Sequence, residues 1–134
     1  MKPPEFIDFA QQLAVQAVST PALLRTVTSR AYYGAFHLAK EFIRSLGLPV
    51  TAKHDTHIWL MGSQQQSAHE AGKLLADLNN ARINADYKLE EATPELPAFA
   101  RKSVERARAV QSLLLACEGV VASQITARRT SAGR

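Results

Sequence analysis

The 134-residue chain has one cysteine, Cys117, and one tryptophan. A single cysteine excludes an internal disulfide, and the neighbours Leu113, Leu114 and Val121 mark Cys117 as a small core hydrophobe rather than a reactive thiol. Six glycines and six prolines are too few for a disordered composition, and neither a glycine-rich phosphate loop nor an internal repeat is present. Strand-like alternation of useful length is missing, which argues against a sheet. The longest apolar patch, LLLACEGVV, is interrupted by Glu118. The opening MKPPEFIDFA lacks the apolar core of a signal peptide, so a cytoplasmic protein with no membrane span is expected.

Positive charge is also scarcer than the total suggests. The net charge is +4, and Arg128, Arg129 and Arg134 supply three of those charges, leaving 4 − 3 = +1 for the body. That is too little for a non-specific DNA coat, whose affinity comes from many phosphate contacts. Any polyanion site must be local.

What the chain does have is helical periodicity. Phe6, Phe9, Leu13 and Ala17 share one face of a first helix running to about Ser19. Ser19 or Thr20 before Pro21 is a hydroxyl cap with proline in the first turn, opening a long second helix that runs to about Leu46, where Gly47 and Pro49 end it. HDTHIWLM suits a short third helix, and GSQQQS reads as a polar loop. From Ala68 the residues Leu74, Leu75, Leu78, Ala81 and Ala85 mark a helix ending near Tyr87; Pro94 and Pro97 then break the chain. In the last helix Val110, Leu113, Cys117 and Val120 recur at helical spacing, widened by Leu114 and Val121. The expected architecture is an all-α bundle of four or five helices, one domain over residues 1–126, followed by a polar basic tail over 127–134.

On a wheel of about 100° per residue, Leu24, Val27, Ala31, Ala35, Leu38, Phe42 and Leu46 form the apolar stripe of the second helix, with Tyr32, Phe36, Ala39 and Ile43 on one flank. Arg30 and His37 lie on the other flank. Seven residues apart, they point within about 20° of each other and sit roughly 10 Å apart along the axis, so both side chains could reach one phosphate. Gly34 between them lets another backbone or a ligand approach closely. The plainer alternative is that Arg30 pairs with a nearby carboxylate and His37 packs beside it.

"SRAYYGAFHLAKEFI" together with "LNNARINADY" resembles the small prokaryotic branch of the HEPN superfamily, in motifs spanning residues 19 to 90. The resemblance implies a helical bundle, metal-independent RNA cleavage by many members, and a site made of an arginine followed by four to six residues and a histidine. Arg30 and His37 enclose six. It further implies a homodimer in which two such helices face each other, with a small nucleotidyltransferase or antitoxin as a possible partner and a role as toxin or defence effector. Ala31 stands where many active members have a polar residue. Ala39 stands where a subset has a tyrosine that a nucleotidyltransferase can adenylylate. A catalytically silent nucleotide-binding or nucleotidyltransferase-partner bundle is the alternative function. The chemistry suits the residue types: neutral imidazole can take a ribose 2′-hydroxyl proton while guanidinium stabilises charge growing on phosphorus. Tyr33 could stack on a base or seal an interface.

Other constellations are weaker. His54 and His57 form an H-x-x-H pair with His69 beyond, but no cysteine or carboxylate at ligand-like spacing completes a zinc set, so neither a metal nor another cofactor is expected. Arg82 and Asp86 form an i, i+4 ion pair, with direct phosphate contact by Arg82 as the alternative. The run RKSVERAR at 101–108 reads as a solvated face, with RNA guidance as the minority reading.

Overall fold

The computed structural model describes residues 1–16, 18–52 and 54–126. Among these residues it is an all-α bundle: α1 (Pro3–Ala14), α2 (Pro21–Ser45), α3 (Asp55–Met61), α4 (Gln66–Tyr87), α5 (Pro97–Leu115) and α6 (Ala122–Thr126), with a 3-10 turn at Thr93–Glu95 before α5. Ala17 and the tail at 127–134 lie outside the described residues.

The central helix is α2, packed against α1, α4 and α5. Its start follows the expected chemistry: the Thr20 hydroxyl accepts the Leu23 N–H at 3.1 Å, and Pro21 fills the first turn where no N–H is required. Its end does too, because Gly47 adopts φ +78°, a left-handed conformation that costs glycine little, and donates its N–H to the Arg44 carbonyl. The core, however, is rotated from the expected stripe. Leu24, Val27, Ala31, Tyr32, Ala35, Phe36, Ala39 and Ile43 are buried, whereas Leu38, Phe42 and Leu46 are only partly so. Burial by α4 on the Tyr32 side pulls the packed sector round.

The first helix departs further. It stops at Ala14 rather than near Ser19, and its buried residues are Pro3, Ile7 and Ala10. Phe6 and Leu13 are half-buried and Phe9 is 49% exposed. The cause is Gly34: a Cβ there would stand 2.5 Å from Ile7 Cγ1 and 3.1 Å from the Ile7 backbone nitrogen. The notch in α2 seats Ile7, and the Phe6–Phe9 face turns outward.

α3 is docked by its lone tryptophan, whose Nε1–H donates to the Pro49 carbonyl at 2.9 Å. Asp55 closes the preceding turn by accepting the N–H groups of Thr51 and Ala52, which hold its carboxyl below the usual carboxylate range. α4 begins two residues before the expected Ala68, with the Gln65 side chain accepting the Ala68 N–H. Cys117 is buried and donates its S–H to the same Gln65 side chain at 3.3 Å; burial pushes its thiol pKa up. Val121, expected in the last stripe, is 56% exposed because α5 ends at Leu115 and the chain turns before reaching it.

Arg25 locks the α4–α5 connection. Its buried guanidinium makes seven hydrogen bonds, donating to the carbonyls of Asn84, Ala85, Lys88, Leu89 and Glu91 and twice to the Glu95 carboxylate. These include main-chain acceptors that the end of α4 leaves without helical partners. The 101–108 run is not simply solvated. Ser103, Val104 and Ala107 are buried, and Arg108 reaches Asp8 at 2.6 Å and Gln11, clamping α5 to α1. No helix among the described residues is long and apolar enough to cross a membrane.

Candidate functional site

α2 separates two groups of polar and aromatic side chains. On the α1 side lie Arg30, Gly34 and His37. Gly34 is buried under Ile7 and Phe6, so the close approach it permits is made by the backbone of α1. Phe6 thereby stands on the face that Arg30 and His37 share. Its ring stacks on His37 with centroids 5.7 Å apart and planes at 21°, while Phe36 meets His37 edge-on at 5.5 Å. Burial among these rings, with Lys40 nearby adding to it and Glu41 opposing, holds the His37 pKa below its ordinary 6.5. The imidazole is therefore neutral at pH 7, the form that accepts a proton.

Arg30 is exposed and makes no ion pair among the described residues, so the carboxylate pairing open at the level of sequence is not formed. It borders an open hollow of about 460 Å³ together with Met1, Glu5, Phe6 and Phe9. A free guanidinium, an aromatic plate and a neutral imidazole thus succeed one another along one side of α2. Cation, stacking surface and base are the elements needed to hold and deprotonate a single-stranded nucleotide.

Tyr33 belongs to the other side. It meets Tyr32 edge-on at 5.2 Å and lies 5.7 Å from the Arg82 guanidinium, so it does not join Arg30 and His37. Arg82 is buried, stacked at 5.0 Å over Tyr32 and 5.9 Å from Tyr87. Its Nη2 donates to Asn79 Oδ1 at 2.9 Å and its Nη1 stands 3.7 Å from Asp86, the expected i, i+4 pair, whose carboxylate also accepts from Ser29. Beside it the Tyr32 hydroxyl lies 3.4 Å from His57 Nε2. Burial is the main cause pushing the Tyr32 phenol up to about 12, with Arg82 pulling the other way, so it stays protonated at neutral pH.

Of the histidines outside α2, His54 and His57 border one cleft and His69 lies apart from it. His54 is exposed, His57 stacks near Tyr32 and Phe36, and His69 bonds the Met61 carbonyl through Nδ1 at 2.8 Å. Among the described residues no three His, Cys, Asp or Glu side chains gather as a metal-binding group. Two neighbours of the candidate residues carry no plain mark in the sequence. Phe6 looked like part of a core stripe, and only the Gly34 notch turns it toward His37. Asn79 has one signal available, its i, i+3 spacing from Arg82.

No protein-family model, curated protein or solved structure matches the chain.

Proposed function

We propose that the protein is a metal-independent endoribonuclease of the HEPN type, cleaving single-stranded RNA as a two-fold homodimer. The observation that carries this reading is the neutral His37, clamped between Phe6 and Phe36, on the same face of α2 as the exposed, unpaired Arg30. His37 takes the proton of a ribose 2′-hydroxyl. The O2′–P bond forms as the P–O5′ bond breaks, Arg30 stabilises the charge on the phosphorane, and the leaving 5′-oxygen takes a proton from the His37 of a second copy, which must start the cycle protonated. The products are a 2′,3′-cyclic phosphate and a 5′-hydroxyl. Phe6 offers a base its flat face. A toxin or defence role, restrained by an antitoxin or a small nucleotidyltransferase, fits such an activity.

One observation favours a second reading, a silent nucleotide-binding or nucleotidyltransferase-partner bundle. Ala31 is fully buried, so no polar side chain follows Arg30 into the site.

The test is cleavage of single-stranded RNA in excess chelator, with DNA of the same sequence spared. His37→Ala should lower the rate at least about a hundredfold and Arg30→Ala by a similar factor, while the exposed Lys102→Ala cleaves normally. Because the base needs a neutral His37 and the acid a protonated one, and burial lowers the pKa of both, kcat/KM should be bell-shaped in pH with its maximum below 6.5. Undiminished cleavage by His37→Ala ends the mechanism. Failure of a well-folded dimer to cut any RNA moves the reading to the silent bundle.

A further inference from the structure

Arg82 is the one charged side chain, among the described residues, that is buried yet keeps a donor without an acceptor. Its side chain is 7% exposed, and its Nε–H has no hydrogen-bond partner. A buried, unanswered donor on a cation is expensive, and such atoms in native proteins ordinarily have a reason. Three tyrosine rings gather around the guanidinium, at 5.0, 5.7 and 5.9 Å, so its remaining bonding capacity lies at its edges. On the edge that carries Nε, Nη2 uses one N–H on Asn79 Oδ1. Nη1 faces Asp86 at 3.7 Å, an ion pair too long for a good hydrogen bond.

The same guanidinium borders an open cavity of about 240 Å³, whose other walls are Tyr32, His54, His57 and Asn79. The lining carries one permanent cation and no carboxylate: the Arg82 guanidinium, the Asn79 amide, the Tyr32 hydroxyl and the imidazoles of His54 and His57, each ring offering at least one N–H. The carboxylates nearby, Asp86 and Asp55, are not part of it. The volume is below the roughly 300 Å³ at which pockets begin to enclose drug-sized ligands, but sufficient for a tetrahedral anion. A cationic fork with amide and imidazole donors is the chemistry that recognises such an oxyanion.

We propose that the cleft between α2, α3 and α4 binds a phosphate-sized oxyanion, either inorganic phosphate or the terminal phosphate of a small phosphomonoester, on Arg82, Asn79 and His57. With Nε buried out of reach of an oxygen the size of water, the anion would meet the Arg82 fork at its Nη groups, whose N–H capacity the one Asn79 bond and the long Asp86 pair do not fill. The site lies across α2 from Arg30 and His37 and does not depend on the ribonuclease reading.

The experiment is calorimetric titration of the full chain with inorganic phosphate and, separately, with ribose 5-phosphate. A dissociation constant on the order of 1 mM is expected for one charge-assisted site. Tighter binding of ribose 5-phosphate identifies a monoester ligand, and equal binding identifies the free anion; both support the site. Asn79→Asp keeps an acceptor for Arg82 Nη2 and so keeps the fold, but it adds a negative charge to the wall; affinity should fall at least about tenfold. Arg82→Gln should do the same, with circular dichroism checking its helices, and the exposed Lys102→Ala should bind as the parent does. The proposal is overturned if affinity survives Asn79→Asp and Arg82→Gln, or if folded protein binds neither compound at about 10 mM.

Discussion

Arg25 and Arg82 are buried to nearly the same degree, 8% and 6% exposed, yet they are held in opposite ways. Arg25 has hydrogen-bond acceptors on every side, five main-chain carbonyls and the Glu95 carboxylate. Arg82 is held largely by ring faces, with one good hydrogen bond, a long ion pair and a bare Nε–H. Burial alone therefore does not separate a structural arginine from one with capacity to spare. The count of unmet donors does.

Substitution should widen that contrast. Arg25→Ala strands the Glu95 carboxylate and several carbonyls, so it should cost about 3–5 kcal/mol in urea unfolding. Arg82→Gln forfeits stacking on tyrosine but also removes an unsatisfied donor, and its cost should be nearer 1–2 kcal/mol. Equal losses would break the distinction. Next in size is Gly34→Ala. The new methyl meets Ile7 and Phe6 at 2.5–3.0 Å, and the gain in helix propensity offsets only part of the overpacking, leaving a net loss of about 1–2 kcal/mol. As α1 is pushed off, Phe6 should leave His37, and the imidazole pKa followed by NMR should climb back toward 6.5. The sign for stability follows. With the folded pKa depressed, the unfolded chain binds more protons between that value and 6.5, so His37 makes the parent less stable as pH falls through this window. Gly34→Ala should flatten that slope. The smallest effect belongs to Arg108→Ala, whose partner Asp8 is more than half exposed; about 0.5 kcal/mol is expected in thermal unfolding, shrinking with salt.

The helices were legible because their boundaries are local chemistry: Thr20 before Pro21, Gly47, Pro97. The shared face of Arg30 and His37 was legible because helical spacing alone defines it. What lay outside sequence reasoning depends on the partner helix. The rotation of α1 is set by a notch in α2, and Phe6 changes from core residue to His37 neighbour with it. The role of Arg25 was hidden because most of its acceptors are carbonyls, which every residue has and no letter marks. Tyr33 falls between the two flanks on the wheel, so its side is decided by the position of Arg82.

The position of Trp59 makes the chain its own two-colour instrument. The only indole fluorophore rides on the seven-residue α3, tied to Pro49, whereas the far-ultraviolet ellipticity comes mostly from α2, α4 and α5. Emission therefore follows the small helix that carries His57, and ellipticity follows the frame around it. Coincident melting of the two signals reports a single cooperative unit, and emission moving first reports that this wall of the cleft swings free while the frame still stands.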